Sequence, residues 1–439
     1  MISAEQNELM TRIGPGAPAG QLLRNYWQPV ALVDELQGPR PVKAVRLLGE
    51  VLVLFKDQGR YGLLERHCPH RGADLAYGRL EDGGLRCAFH GWLFDTSGKC
   101  LETPAEPLGS RMREHVRQRA YPVAEKSGIL FAHLGAGEPP AFPHFDCFVA
   151  PNEYTFAFKG YWDCNWLQAL EVGIDPAHAS WLHKFFEDED PEKSYGRQFR
   201  ATAADSEVPM SKVLREFDRP EIRVERTEYG MRLQTLRRLD DAKTHLRVTN
   251  ILFPQAFVIP MSPEMTISQW HVPVDDTHCY WYAIFTSFTG PVDKQQMREQ
   301  RLATIELPHY TSRKNKRNDY GYSVKEQLSE TYTGMGTDIN VHDQWACESQ
   351  GPIQDRTREH LGTTDKGLIA YRRLLVNAIE RTQAGEAAPM LPTNGQASAF
   401  TGPPSIDGVA KAANASSYWQ EADLERRKRS DWASARLTA

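Results

Sequence analysis

Hydrophobic and polar residues alternate in two separate parts of this chain. In the first part, residues 44–57 and 61–68 are β-rich runs, separated by turn signals at Gly49-Glu50 and Gln58-Gly59. A period of two residues with glycine-containing turns between the runs is typical of antiparallel strands. Residues up to about Pro143 are therefore predicted to form a small antiparallel β domain.

The second part predicts a larger sheet with helices. Strand-like runs lie at residues 221–225, 231–239, 244–259 and 265–288. Several of them alternate polar and apolar residues, which predicts an antiparallel sheet with one face packed. Residues 165–173 and 367–381 are predicted helices, and the second has Asp365 as a candidate cap and apolar residues at Leu368, Tyr371, Leu375 and Ile379. The predicted fold class is α+β: an antiparallel β domain, then a larger α+β domain whose central antiparallel sheet is flanked by helices.

Proline and small residues mark the predicted domain boundaries. Pro139-Pro140 and Pro143 indicate a linker, and after Gln383 the composition turns to Ala, Gly, Pro, Ser and Asn. The prediction is a lead-in and β domain over residues 1–143, a second domain over 144–383, and an extended C-terminal tail over 384–439. The basic run 426–429 in that tail is interpreted as solvated surface.

Composition excludes several classes of function. The formal net charge of −5 gives no basic surface for nucleic acid. No apolar run approaches the roughly 18 residues that span a bilayer, and no secretory h-region is visible, so a cytoplasmic protein is expected. Five of the seven cysteines are interpreted as reduced packing residues: Cys100, Cys147, Cys164, Cys279 and Cys347.

Two Cys-His pairs indicate a metal site. Cys68 and His70 form one pair, Cys87 and His90 the other, with sixteen residues between the pairs. Thiolate and imidazole bind transition metals, so a structural zinc and a Rieske [2Fe-2S] cluster both fit. Zinc fingers usually leave two to four residues inside each pair, but only one residue separates Cys68 from His70, which favours the cluster. Four unrelated core or surface residues are the remaining alternative.

The segment 68–92 resembles the Rieske motif of aromatic ring-hydroxylating oxygenases. Respiratory Rieske proteins carry an additional cysteine in each cluster loop, whereas the ligands here are flanked by Pro69, Arg71, Ala88 and Phe89. The resemblance implies Cys68, His70, Cys87 and His90 as ligands of a [2Fe-2S] cluster.

A second metal motif begins near residue 171. In the resembled family, a mononuclear Fe(II) site follows an acidic residue and an aspartate, and the motif matches here as Glu171, Asp175, His178 and His183. Two histidines and one carboxylate form the ligand set of non-haem Fe(II) oxygenases. On an ideal helix the two histidines would lie about 140° apart, so a helix end or distortion is expected near Pro176.

The third iron ligand is expected to be a carboxylate further along the chain. Asp338, Asp343, Glu348 and Asp355 are the candidates. The segment 344–362 resembles the phthalate 4,5-dioxygenase branch, and that resemblance points to Asp355. The alternative for Asp355 is a surface residue paired with Arg356 or Arg358.

The resemblance also gives Asp175 a catalytic role. It would bridge the two metal sites by bonding a mononuclear-iron histidine and, across a subunit boundary, a Rieske histidine, with His90 favoured. Its alternative role is the N-cap of a helix that Pro176 begins.

The implied function is that of a terminal oxygenase that cis-dihydroxylates an aromatic ring with O2. Electrons would come from NADH through a separate flavin/iron-sulfur reductase, in agreement with the absence of a Gly-rich nucleotide loop in the sequence. A head-to-tail homotrimer, or a hexamer of two stacked trimers, is expected. Alternatives are a Rieske O-demethylase or monooxygenase of a substituted benzoate, a non-catalytic Rieske electron carrier, and a zinc-stapled β module fused to a binding domain.

The resembled branch implies phthalate, or a relative such as isophthalate, a chlorobenzoate or a sulfobenzoate. Carboxylates are bound bidentately by arginine, so Arg200, Arg237 and Arg247 are candidate substrate residues. An apolar slot for the ring, or simply core, is expected at Ile251, Phe253, Phe257 and Ile259.

Overall fold

Two small antiparallel sheets carry the Cys-His segment in the computed structural model, which describes residues 2–188, 209–392 and 397–436. Their strand orders are β2-β3-β4-β9 and β5-β6-β7-β8. Apolar residues including Phe55, Leu64, Leu85 and Phe94 fill the space between them. The strands are β2 (Val42–Leu47), β3 (Glu50–Asp57), β4 (Arg60–Glu65), β5 (Arg79–Glu81), β6 (Gly84–Arg86), β7 (Leu93–Phe94), β8 (Cys100–Glu102) and β9 (Ala120–Tyr121).

The N-terminal lead-in packs on the second half of the chain. A three-stranded sheet, β1-β11-β10, stands beside the large sheet, and Phe131 meets Trp270 edge-on at 5.7 Å. Both N-terminal helices contact the long C-terminal helix α11. The elements are α1 (Ala4–Thr11), α2 (Pro18–Arg24), β1 (Gln28–Leu32), α3 (Met112–His115), β10 (Val123–Lys126), β11 (Ile129–Ala132) and α11 (Lys366–Gln383).

A ten-stranded sheet forms the second half, in the order β14-β15-β16-β17-β18-β19-β13-β21-β20, with β23 paired to β16. Its pairs are antiparallel except β13–β21. The predicted α+β fold class is therefore confirmed, with a mixed rather than purely antiparallel sheet. The strands are β13 (Thr155–Trp162), β14 (Glu221–Thr227), β15 (Gly230–Arg238), β16 (Lys243–Leu252), β17 (Ala256–Ser262), β18 (Met265–Asp275), β19 (His278–Ser287), β20 (Ile305–Glu306) and β21 (Thr311–Ser312).

Two predicted strands are in fact hairpins. The run 244–259 divides into β16 and β17, and the run 265–288 into β18 and β19. Pro254 interrupts the first because it has no amide to donate to a ladder. Asp275 begins the second turn, where its carboxylate accepts a hydrogen bond from the Thr277 amide at 3.0 Å.

Helix α5 (Trp166–Ile174) lies against the large sheet and carries the start of the second metal motif. Asn165 caps it by accepting from the Leu167 amide at 3.0 Å. Gly173 lets the Phe257 ring come so close that an added Cβ would lie 2.1 Å from the ring. The other helices are α4 (Asp146–Val149), α6 (Ala179–Leu182), α7 (Met210–Glu216), α8 (Lys294–Thr304), α9 (Val324–Ser329) and α10 (Ile339–Glu348).

The C-terminal segment does not form the predicted extended tail. Strand β23 (Asp407–Lys411) pairs antiparallel with β16, and α12 (Tyr418–Arg429) also contacts β16. Short β22 (Thr401–Gly402) pairs with β12 (His144–Phe145). The basic run is not all solvated, because Arg426 is buried and ion-paired with Asp423. The boundaries after residues 143 and 383 stay predictions. Within the described ranges, no helix is long and apolar enough to cross a membrane.

Candidate metal centres

Two similar loops face each other at the tip of the small β domain. In each loop, the amide of the cysteine (Cys68 or Cys87) donates to the carbonyl five residues later, at 2.8 Å in both cases. The glycine four residues after each cysteine has a left-handed φ, +74° at Gly72 and +76° at Gly91. Glycine adopts this conformation without steric cost, so both loops turn back in the same way.

The ligand types in these loops fit a Rieske cluster. Cys68 and Cys87 are buried, whereas His70 and His90 lie further out with ring centroids 4.4 Å apart. His70 Nδ1 is buried and has no hydrogen-bond partner in the described chain, so this nitrogen is available to a metal. Burial raises the pKa of the Cys68 thiol to about 11, so a metal must displace its proton on binding.

The second site is built around a single helical turn. His178 precedes α6 and His183 follows it, and the two rings lie 5.1 Å apart. The expected helix end at this motif is therefore present. Asp343 on α10 places Oδ1 3.7 Å from His178 Nε2 and 3.2 Å from His183 Nε2. One donor atom from each residue lies within 4.8 Å of the others, and together they could hold a metal ion.

The electrostatics of this group suit a divalent cation. Asp343 Oδ1 is buried and accepts no well-aligned hydrogen bond from the described residues. Burial alone would raise the pKa of Asp343, but the facing imidazoles of His183 and His178 lower it overall. Burial, and then His183, lower the pKa of His178. The site therefore favours an ionised Asp343 and a neutral His178, the protonation states that ligate iron.

Asp355 is not the carboxylate that the structure brings to the histidine pair, which corrects the sequence prediction. It lies on an exposed loop, where it accepts from the amide and hydroxyl of Thr357 at 3.1 and 2.6 Å. The other two candidates are also engaged elsewhere. Asp338 caps α10, and Glu348 accepts from Tyr320 Oη at 2.6 Å. The geometry selects Asp343, which was among the four candidates.

A third histidine, which sequence reasoning missed, stands behind the site. His342 Nδ1 lies 3.4 Å from His183 Nδ1, and His342 Nε2 lies 2.8 Å from the Gly336 carbonyl oxygen. Burial, and then His183, lower the pKa of His342. His178 has a simpler arrangement, because its Nδ1 donates directly to the main-chain oxygen of Asp175.

Asp175 follows the last residue of α5 and is its C-cap rather than the N-cap of a new helix. Its carboxylate accepts from the Ala177 amide at 2.7 Å, while its main-chain oxygen contacts His178. The expected side-chain bond to an iron histidine is therefore replaced by a main-chain bond. The bridge to a Rieske histidine stays a prediction. Glu171 is buried in ion pairs with Arg356 and Arg372, at 2.8 and 2.6 Å.

A cavity of about 990 Å³ opens beside Asp175 and His178. Trp181, Tyr322 and Tyr332 line it and are each nearly half exposed. Four further acidic residues contribute to its wall: Glu171, Asp319, Glu359 and Asp365. Arg372, also in the wall, is ion-paired with Glu171 and Glu359, so the excess negative charge of the cavity comes from Asp175, Asp319 and Asp365. The three aromatic side chains form its rim.

The three candidate substrate arginines differ in their surroundings. Arg200 lies outside the described residues. Arg247 forms an ion pair with Asp407 of β23. Arg237 is only 2% exposed and donates to the carbonyls of Phe217 and Pro176, both at 3.1 Å. Within the described ranges, no carboxylate forms a salt bridge with Arg237.

The expected apolar slot is largely core. Ile251, Phe253 and Phe257 are buried, and Ile259 alone of the four is partly exposed.

Comparison with known proteins decides the family. The Rieske [2Fe-2S] domain family matches residues 26–116, and the family described as LigXa C-terminal domain like matches residues 136–414. The chain is 34% identical over 408 residues to the phthalate 4,5-dioxygenase oxygenase subunit of Pseudomonas putida, covering 88% of each chain. The chain belongs to the Rieske oxygenase family. As a Rieske oxygenase it is an oxidoreductase with a [2Fe-2S] cluster and a mononuclear iron, which confirms both predicted cofactors.

Other Rieske oxygenases are similar over most of their length. The chain is 33% identical over 395 residues to the 5,5'-dehydrodivanillate O-demethylase oxygenase subunit of a Sphingobium species, covering 88% of this chain and 82% of the relative. A solved structure of a Pseudomonas putida CBB5 NdmA QL mutant with theobromine shares the fold, with a TM-score of 0.57 at 19% identity. It matches 89% of this chain and 98% of its own.

Proposed function

We propose that this terminal oxygenase cis-dihydroxylates an aromatic carboxylate, phthalate or a close relative, in a cytoplasmic two-component system. A separate NADH-dependent flavin/iron-sulfur reductase would supply the electrons. When bound, the cluster and the iron together supply electron transfer and O2 activation. His178, His183 and Asp343 would hold the iron from one side, because three such ligands leave positions open for O2 and substrate.

The choice of a carboxylate substrate is supported by Arg237, which is buried and forms no salt bridge with a carboxylate of the described residues. Burying a guanidinium without a counter-ion is unfavourable, since its hydration is lost and neutral hydrogen bonds replace it only in part. Burial, and then the neighbouring charge of Arg247, lower the pKa of Arg237 to about 10, against a smaller opposing attraction from Asp407, which forms its ion pair with Arg247. The group is therefore still a cation at neutral pH, and a substrate carboxylate would complete its coordination.

The position of Arg237 connects it to the metal-binding segment. Its Nη2 donates to the Pro176 carbonyl and lies 3.4 Å from Ser180 Oγ, on either side of His178 in sequence. A carboxylate held by this guanidinium would thus be anchored close to the iron ligands, and the attached ring would be oriented. Arg247 is the weaker candidate because Asp407 already neutralises it.

We further propose a head-to-tail homotrimer, single or as two stacked trimers, in which one chain's cluster tip enters the next chain's acidic cavity. Tyr77 and Phe89 are exposed at the tip, and the Arg71 guanidinium lies 5.3 Å from the Phe89 ring. This cationic, aromatic tip is complementary to the acidic cavity with its aromatic rim. Asp175 lines that cavity, and we propose that it bridges to a Rieske histidine of the neighbour.

The second candidate is O-demethylation of a methoxybenzoate, which the O-demethylase relative favours. The same ligand set serves both reactions, so substrate placement decides between them.

Single turnover under isotopically labelled O2 tests the proposal. The chemically reduced, iron-loaded protein is mixed with phthalate, isophthalate, 3-chlorobenzoate or a methoxybenzoate, and each acid is paired with its methyl ester. A cis-dihydrodiol carrying both labelled oxygen atoms from an acid, with little product from its ester, is the expected result. Formaldehyde and a phenol would establish the demethylase instead. Equal turnover of acids and esters would refute a carboxylate substrate.

A further inference from the structure

His342 occupies an unusual position between a metal ligand and the main chain. Its ring is fully buried and stacks on the His183 ring, with centroids 5.6 Å apart and planes at 25°. One nitrogen faces His183 Nδ1 at 3.4 Å, and the other faces the Gly336 carbonyl at 2.8 Å. Both ring nitrogens of His342 are therefore engaged, each with a different kind of partner.

These partners determine where the protons are. A carbonyl oxygen only accepts, so His342 Nε2 must carry a hydrogen to bond Gly336. A neutral imidazole with a hydrogen on Nε2 has a lone pair on Nδ1, so His342 Nδ1 accepts. His183 Nδ1 must then be the donor. The lone pair of His183 is left on Nε2, the nitrogen that faces Asp343 at 3.2 Å.

We propose that His342 is a positioning residue that fixes the tautomer and ring orientation of His183 for the mononuclear iron. The Gly336 carbonyl would act on the metal ligand through an intervening imidazole. His178 provides an internal comparison, because its Nδ1 donates to the Asp175 carbonyl with no side chain between. The inference rests on His178, His183 and Asp343 being the iron ligands, and it is independent of the identity of the substrate.

Burial explains why the imidazole matters. No part of His342 is exposed, so bulk water does not reach this side of His183 to replace a lost acceptor. A ring without an acceptor would leave the His183 N–H unsatisfied, and the other tautomer would compete. That tautomer carries its hydrogen on the nitrogen that faces the metal and does not bind it.

Three variants test the inference: His342→Phe, His342→Asn and His183→Ala. Phenylalanine keeps a flat ring against His183 but accepts no hydrogen bond. The amide oxygen of asparagine can accept in place of Nδ1. Apo-protein with an intact cluster, checked by EPR and far-UV circular dichroism, is titrated with Fe(II), and with Co(II) as a spectroscopic probe of ligand geometry.

We expect His342→Phe to weaken Fe(II) binding by about 10- to 100-fold and to alter the visible Co(II) spectrum. His342→Asn should recover affinity to within about threefold of wild type, since it restores an acceptor. Wild-type affinity in the Phe variant, or equal losses in the Phe and Asn variants, would overturn the inference. Retention of iron by His183→Ala would instead refute the ligand assignment beneath it.

If neither His342 variant assembles its cluster, the inference is tested on the wild-type protein instead. Pulsed EPR of the Cu(II)-loaded site reads the remote nitrogen of each bound imidazole. Two inequivalent protonated nitrogens are expected, one bonded to a carbonyl and one to an imidazole. A single class of remote nitrogen would overturn the inference.

Discussion

Asp343 Oδ1 faces His183 Nε2 at 3.2 Å, although 160 positions separate the two residues in the sequence. This contact distinguishes the carboxylate that can share a metal with the histidines from Asp355, which is exposed and bonded to its own loop. We therefore expect Asp343→Ala to lose the mononuclear iron and all turnover while keeping the cluster. Metal analysis and EPR of the reduced protein measure both.

Asp355→Ala is the matched control for that experiment. It removes a carboxylate of the same type from a surface turn, and iron content and activity should stay at wild-type values. If Asp355→Ala loses iron and Asp343→Ala keeps it, Asp355 is the iron ligand, as the sequence predicted.

Local features of the sequence predicted much of the fold. Alternation at two-residue spacing found β14 to β19 of the large sheet but not β13, β20, β21 or β23, and the paired Cys-His spacing found both cluster loops. Helix α5 was predicted nearly to its ends, because Asn165 and Pro176 are local start and stop signals. These features succeed because each depends on neighbours within a few residues.

Long-range contacts account for what was missed. The Asp343 side chain is selected among four carboxylates only by how α10 packs beside α5, which no local spacing encodes. Strand β23 lies in a stretch rich in small residues, and its pairing with β16 joins residues more than 150 positions apart. His342 precedes Asp343 directly, and a histidine beside a candidate ligand within a helix was the one available signal.

Arg237 gives the second prediction. Arg237→Met should lower kcat/KM for an aromatic acid by about 10- to 100-fold, since a charge-assisted hydrogen bond contributes about 1.5–3 kcal/mol, and should change the value for the corresponding ester much less. Arg238→Met is the control, because Arg238 follows Arg237 on the same strand, is exposed and pairs with Asp241. If Arg237→Met lowers kcat/KM by the same factor for the acid and the ester, Arg237 does not bind the substrate carboxylate and only donates to the Pro176 carbonyl.

Lys159 predicts a pH dependence of stability. This buried lysine pairs with Glu35 at 2.6 Å, and burial lowers its pKa from 10.5 to about 8. Between these pH values the unfolded chain binds more protons than the folded one, so the contribution of Lys159 to the free energy of unfolding rises with pH in this window.

Lys159→Met removes that contribution. Urea unfolding of both proteins at about pH 7.5 and about pH 9.5 should show the wild type gaining stability relative to the variant as the pH increases. A difference between the two proteins that stays constant, or that shrinks over this range, would contradict a depressed lysine pKa.

Gly173 lies on α5 between the Phe257 ring and the metal-binding segment, so the packing of this helix affects the metal site. An added Cβ would lie 2.1 Å from the Phe257 ring, so Gly173→Ala must displace either the ring or the helix that leads to Asp175 and His178. Overpacking of this kind costs about 1–3 kcal/mol, which exceeds the gain of about 0.8–1.0 kcal/mol in helix propensity. We expect a lower free energy of unfolding and weaker Fe(II) binding, measured by urea unfolding and iron titration.

Phe257→Leu removes the ring that causes the clash, so the double variant should recover part of both losses. A coupling free energy of about 0.5–3 kcal/mol is typical of side chains in contact. Gly290→Ala is the control, because no atom of the described residues lies within 4 Å of its added Cβ. If the effects of Gly173→Ala and Phe257→Leu are additive, the added methyl group does not clash with the Phe257 ring. The packing of α5 against this ring would then not determine the position of the iron ligands.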